Sequence, residues 1–364
     1  MAYTTIDKPQ LYFEPVLYTG NGASTPSGSG STQTISSLDF APNLVWIKDR
    51  TQSGHNHNLA DIIRGAPNLL FSDADNAQIT DSTDGFTGFT SNGFTLGDNG
   101  EGTQSLELNK SGNNYVSYNW AGGGSPSSNS DGSITSNVSA NTTAGFSIVT
   151  WTGTGSTATI GHGLGSTPKW ILIKSVTGAS GWRVYHAGLG ATKAVFLSTN
   201  AVADDDNRYF NDTEPTSNVF TVRENSTNDN TATMIAYCWA EKKGFSKFGV
   251  YRANADSGGN GTFFHCGFKP SLVIVQNTSF AQGWFMMDSK RSTFNEVTKG
   301  LSPNTSSAEQ DSSANVGCDF TASGFKVRAV GTGDINYGSS HDYIVMAFAE
   351  SPFVTSTGIP TTAR

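Results

Sequence analysis

The sequence predicts an all-β protein built from three tandem β-sandwich, jelly-roll-like repeats, and three observations carry that prediction. One ordered set of landmarks recurs at about 18–120, 151–239 and 251–348. Self-similarity at that period marks a repeated structural unit. Gly contributes 41 of 364 residues and aromatics 11%, with Ser, Thr and Asn crowding the intervals between apolar runs, as in short strands joined by tight turns. Helical periodicity is nearly absent, and only short pieces such as Leu59 to Arg64 could form a helical turn.

Each repeat opens on an aromatic-Thr-Gly start, Tyr18-Thr19-Gly20 and Trp151-Thr152-Gly153, which diverges to Tyr251-Arg252-Ala253 in the third copy. A Pro-led strand follows: Pro42 to Lys48, Pro168 to Lys174 and Pro270 to Gln276, rich in the β-branched and aromatic residues of a buried strand. Asn92 to Leu96, Asn218 to Val222 and Ser323 to Val327 then read as turns feeding a further strand. The closing strands are Tyr115 to Trp120, Met234 to Trp239 and Tyr343 to Phe348. About 100 residues per repeat can enclose a small two-sheet core. Three linked sandwiches are therefore expected, with one body of pseudo-threefold internal symmetry as the competing arrangement.

The expected boundaries are an N-terminal attachment arm (1–12), repeat one (13–123), a Gly/Ser/Asn-rich linker or edge strand (124–144), repeat two (145–244), repeat three (245–353) and a C-terminal tail (354–364). The tract from Ala121 to Ala144 predicts a loose junction between repeats one and two, although Gly132 to Val138 alternates enough for an edge strand. Glu241 to Lys247 is too short for independent motion, so repeats two and three are expected to pack together.

A net charge of -8 without a basic cluster argues against nucleic-acid binding, which draws affinity from Lys and Arg on phosphates. No apolar run approaches the roughly 20 residues of a membrane helix, and Met1 to Asp7 has no signal-peptide character. A soluble chain without membrane insertion is expected. Cys238, Cys266 and Cys318 are odd in number and widely spaced, which favours buried free thiols.

No catalytic or cofactor motif stands out. His55, His57, His162, His186, His265 and His341 lack metal-ligand spacing, and Gly161-His162-Gly163-Leu164-Gly165 reads as a turn. Asp73 with Asp75, and Asp204-Asp205-Asp206, could bind loop calcium or supply paired carboxylates, but read first as solvated loop charge. No cofactor and no catalytic residue are expected.

One constellation stands out. His57-Asn58-Leu59-Ala60-Asp61-Ile62-Ile63-Arg64 in repeat one and Trp284-Phe285-Met286-Met287-Asp288-Ser289-Lys290-Arg291 in repeat three each place an Asp three residues before an Arg. Repeat two has His186 and Leu189 there. The structural reading is a bend in which carboxylate and guanidinium pair and hold the chain leaving the strand. The functional reading makes His57, Asp61, Arg64, Trp182, His186, Trp284, Asp288 and Arg291 ligand or partner contacts, with Trp182 and Trp284 as stacking platforms for sugars or partner side chains.

Taken together, Tyr18-Thr19-Gly20-Asn21-Gly22, Pro42 to Lys48, Asp61 to Gly65, Asp131-Gly132-Ser133-Ile134, Asn141 to Thr150, Gly161 to Gly165 and Ala347-Phe348-Ala349-Glu350 resemble a repeat family of structural proteins from tailed bacteriophages, particularly phages of marine bacteria. The likeness covers nearly the whole chain and supplies no catalytic residue. It implies a non-enzymatic virion protein, expected as a short tail fibre or adhesin for host-surface attachment, with other virion proteins and cell-surface glycan as partners and a homo-oligomeric state, a trimer being one option. The alternatives are a capsid decoration protein or fixed tail component and, more weakly, a surface-polysaccharide depolymerase.

Overall fold

Strands dominate the computed structural model, which describes residues 3–23, 30–80, 85–98 and 108–361. Every repeat has the same main antiparallel sheet. In repeat one its order is Phe13–Thr19, Asn114–Trp120, Leu44–Asp49, Asn58–Asp61, Asn68–Phe71 and Ile79–Thr80. Repeat three repeats that order with Ser246–Arg252, Asp342–Pro352, Phe268–Asn277, Trp284–Asp288, Lys299–Leu301 and Gln310–Asp311. Repeat two does so with Phe146–Thr152, Thr233–Ala240, Pro168–Ser175, Arg183–His186, Lys193–Phe196 and Asp204–Asp205. A small second sheet covers one face of each, containing the expected strands Gly93–Leu96, Val219–Val222 and Gly324–Val327.

The Pro-led strands are apolar along their length because both faces are buried. Val45 and Ile47 point into the first sandwich, Ile171 and Ile173 into the second, and Val273 and Val275 into the third. Their neighbours Leu44 and Trp46, Trp170 and Leu172, and Leu272 and Ile274 all enter one further core shared by the three repeats. A strand covered on both sides shows a continuous apolar run rather than alternation.

At the centre of the shared core stand Trp120, Trp239 and Phe348, which occupy equivalent positions on the closing strands, opposite Leu44, Trp170 and Leu272. Their ring centroids lie 5.9, 5.6 and 6.5 Å apart, within the range of favourable aromatic pairing. Three sandwiches are thus fused around a pseudo-threefold axis, the arrangement that competed with linked beads.

Two further expectations are corrected. The junction at 121–144 is not loose: Ser136–Asn141 and, outside it, Ser127–Asn129 extend the second main sheet to eight strands, so the expected strand begins at Ser136 and Ser127–Asn129 forms the edge. Gly145, at φ +71, turns the chain from that edge into Phe146–Thr152, and a Cβ there would meet the Ala240 carbonyl at 2.4 Å. The piece Leu59 to Arg64 is a strand ending at Asp61 and then a turn, because the sheet register claims its first half.

The N-terminal arm lies against repeats two and three. Tyr3 donates to the Gly267 carbonyl at 2.8 Å, Thr4 to that of Lys243 at 2.8 Å, and Ile6 enters the shared core. The tail joins the arm where the Ser356 N–H meets Asp7 at 2.6 Å. The ends of the arm and tail, 1–2 and 362–364, lie outside the described residues. All three cysteines are free and buried. Among the described residues no helix is long and apolar enough to cross a membrane.

Candidate functional site

The Asp-to-Arg constellation sits where each main sheet meets its neighbour. A carboxylate at the end of a strand can accept the N–H groups of the turn that follows, as Asp61 Oδ1 does from Ile63 at 3.1 Å and Arg64 at 3.0 Å. Its Oδ2 accepts Arg64 Nε at 2.5 Å and the hydroxyl of Tyr237, from repeat two, at 2.8 Å. Arg64 Nη2 returns to the Leu59 carbonyl at 2.8 Å. Repeat three copies the arrangement: Asp288 accepts the N–H of Lys290 at 3.0 Å and of Arg291 at 2.8 Å, then Arg291 Nε and, at 2.8 Å, the Tyr118 hydroxyl of repeat one. Arg291 also reaches Glu309 at 3.0 Å, and Glu309 pairs with Arg50 of repeat one at 2.8 Å.

Repeat two reaches the same result with different chemistry. His186 Nδ1 accepts the Gly188 N–H at 3.0 Å, so Nε2 carries the proton and donates to the Val345 carbonyl of repeat three at 3.1 Å. Tyr118 and Tyr237 are matched in repeat three by Met346, as the registers Trp46↔Tyr118, Leu172↔Tyr237 and Ile274↔Met346 establish. With no hydroxyl to receive, an imidazole replaces the carboxylate and Leu189 replaces the arginine. The departure in the middle copy is a compensated set.

Burial opposes the charge of each guanidinium, but Asp61 and Tyr237 raise Arg64 above its ordinary value, and Asp288, Tyr118 and Glu309 do the same for Arg291. Burial also drives Tyr118 and Tyr237 well above the usual phenol range. It lowers His186 to about 4 and holds His57 well below its ordinary value, so both stay neutral near pH 7.

The supposed stacking platforms are part of the same seam. Trp182 and Trp284 are fully buried; their indoles donate to the Phe71 carbonyl of repeat one at 2.7 Å and the Phe196 carbonyl of repeat two at 2.9 Å. His57 takes the equivalent place in repeat one, held through Nδ1 by the Trp46 indole at 3.1 Å. It lies against the Ser302 backbone of repeat three, though Nε2 makes no bond of ordinary geometry there. Backbone bonds close the same circuit: Gln78 N–H to Val176 O at 2.8 Å, Ala203 N–H to Thr278 O at 3.2 Å and Glu309 N–H to Arg50 O at 3.0 Å. All eight residues singled out from the sequence therefore lie in the seams between repeats, and their polar groups are directed into the protein.

The last residue of each Pro-led strand adds another round of contacts. Lys48, Lys174 and Gln276 are buried and reach the carbonyls of Ser306 at 3.5 Å, Ala74 at 3.4 Å and Ala201 at 3.2 Å, each in the neighbouring repeat. Burial lowers Lys48 and Lys174 to about 8. Between pH 8 and the unfolded lysine value near 10.5 these two lysines bind more protons in the unfolded chain and so add stability as pH rises, while the thiols of Cys238, Cys266 and Cys318, which burial raises above their ordinary value, ionise first on unfolding and remove stability over the same window. Above pH 10 the buried tyrosines add to that loss, because the unfolded phenols ionise first. The lysine contribution is therefore read as a difference: the parent's unfolding free energy in urea is expected to gain on that of the double variant Lys48→Gln/Lys174→Gln from pH 8 to 10, by on the order of 2 kcal/mol per lysine. That variant copies repeat three and should remain folded; a gap from the parent that stays constant with pH would refute the lowered lysine values.

The acidic loops have partners within the chain. Asp73 accepts the His57 N–H at 3.1 Å, Asp75 the Ser198 hydroxyl at 2.9 Å, Asp204 the Tyr209 hydroxyl at 2.6 Å, and Asp206 pairs with Arg208 at 2.5 Å. No group of three or more His, Cys, Asp or Glu able to hold a metal occurs among the described residues. Glu296 and Asp319 share a groove of about 620 Å³ beside Gly258 and Gly259, but Asp319 is held by Arg328 at 2.6 Å.

Sequence reasoning missed Tyr118, Tyr237, Glu309 and Arg50. The signal available was a correlated difference: Tyr, Tyr and Met on the closing strands accompany the Asp, Asp and His that receive or replace their hydroxyls. Fold and seams together define a class, a single-chain ring of three β-sandwiches closed by equivalent polar contacts. The chain belongs to a family described as a domain of unknown function (DUF7483), whose match runs from residue 8 to 352 and so takes in all three repeats. No curated protein and no solved structure matches it.

Proposed function

We propose that the chain is a non-enzymatic structural protein of a tailed-bacteriophage particle, a short fibre or adhesin-type appendage that engages the host surface. The observation that carries the reading is the division of labour within the ring. Positions shared by the three copies serve the core and seams, and the unequal loops remain for recognition. The resemblance to phage virion repeats supplies the setting. Repeated units on one rigid body suit weak, multivalent contact with cell-surface glycan and fixed contact with other virion proteins. A homo-oligomer is compatible with this role but is not needed to close the central core, which one chain already closes.

The pseudo-threefold axis favours a second reading, a capsid decoration or fixed tail component. Three similar faces around one axis can meet three identical neighbours. A specific antibody visualised by electron microscopy separates the two: label at the tail tip supports the appendage, and label on capsid faces overturns it in favour of decoration. Under the appendage reading, purified protein should also compete with phage for adsorption to host cells.

A further inference from the structure

One departure from threefold equivalence on the described surface lies in repeat three. The turn after its Pro-led strand carries Phe280, 43% exposed, whose ring lies 4.8 Å from Tyr337 and stacks on His341 at 5.8 Å and 21°. Tyr337 and His341 come from the loop before the closing strand and are themselves 5.7 Å apart. The equivalent turns of the other repeats, 49–56 and 175–181, contain no Phe, Tyr or Trp. Neither sandwich core nor seam requires this cluster.

The turn is ordered, since Asn277 Oδ1 accepts the N–H groups of Ser279 and Phe280, both at 2.9 Å. Tyr343 ties it to the facing loop: its hydroxyl accepts the Tyr337 N–H at 3.0 Å and lies 3.0 Å from the Asp334 carbonyl and 3.3 Å from Gln282 Oε1. The same two loops continue into a groove of about 330 Å³, where Gly283 and Asp334 meet Asn200, Asn304, Ser302 and Gln310. Burial raises the Asp334 carboxyl above its ordinary value, which suits a group that holds hydroxyls at close range. No Lys or Arg lines the groove.

We infer that the Phe280–Tyr337–His341 face and the amide-lined groove beside it form a binding site for a neutral, hydroxyl-rich saccharide. The apolar C–H face of a sugar ring stacks on an aromatic surface, while amides and a carboxylate hydrogen-bond its hydroxyls. The lack of a cation in the groove argues against an anionic sugar, and the preset turn reduces the ordering cost of binding. The inference rests on the attachment reading above and names the ligand class for it.

The test is retention of purified full-length protein on immobilised neutral oligosaccharides of glucose, galactose, mannose and N-acetylglucosamine, with heparin fragments as the anionic comparison. Retention on at least one neutral glycan is expected, with a tenfold or greater loss in Phe280→Ala and in Tyr337→Ala and melting temperatures close to that of the parent. Absence of retention on every neutral glycan overturns the site. So does retention unchanged in both variants, stronger retention on heparin, or variants that lose only binding to another virion protein. Glycan binding by a protein that antibody labelling places on capsid faces would leave the site standing and overturn only the appendage reading.

Discussion

Truncating Trp239 to Ala is expected to lower the stability of the chain by about 3–5 kcal/mol, the usual cost of deleting a buried indole, and to do so within one unfolding transition. Trp239 stacks on Trp170 at 4.3 Å and Phe146 at 5.0 Å within its own repeat, and meets Trp120 of repeat one at 5.9 Å and Phe348 of repeat three at 6.5 Å. A cavity there removes contacts from all three sandwiches at once. Scanning calorimetry is the decisive measurement. A single peak whose calorimetric and van't Hoff enthalpies agree supports one fused body. Separate peaks, with only one displaced by the substitution, would restore three linked beads. Trp239→Phe should cost much less, because repeat three already uses Phe348 at this position and the Trp239 indole N–H has no hydrogen-bond partner.

The second large effect is expected at Arg291. Replacing it by Ala leaves Asp288 buried without its cation, and breaking a buried pair from one side costs about 3–5 kcal/mol. Glu309 would keep Arg50 and only part of its network. The informative comparison is the triple variant Tyr118→Met, Asp288→His, Arg291→Leu, which transfers the middle solution to this seam. It should recover much of the loss in urea denaturation, since it removes the charge, its partner and the hydroxyl together. A triple variant no more stable than Arg291→Ala would refute the equivalence of the two designs.

Much of the fold was legible because burial on two faces writes itself into the residues. Leu44 to Ile47, Trp170 to Ile173 and Leu272 to Val275 could hardly be anything but covered strands. The same continuity concealed the shared core, for an apolar run does not say whether its second face meets another layer of its own repeat or another repeat. Trp182 and Trp284 were misjudged for a related reason: an indole that stacks on a ligand and one that donates to a neighbouring carbonyl have the same sequence appearance. The bend formed by Asp61 and Arg64 was readable from its i, i+3 spacing, whereas its Tyr237 partner, 176 residues away, was not. The aromatic face around Phe280 escaped notice because its rings come from two loops that only the tertiary fold brings together.

Closure of the ring by the seam between repeats one and three also sets the order of events during synthesis. The apolar sheet face of repeat one leaves the ribosome well before the repeat that must cover it exists, and long-range contacts of this kind form slowly. During that interval Trp46 and Trp120 stand on an uncovered surface of the sort that draws nascent chains into aggregates. A ring also fixes its copy number in a way that an open array does not: with two units or four, the geometry that joins the last to the first would be lost. The hazard in translation and the fixed count of three therefore have one origin, a ring that closes only when repeat three meets repeat one.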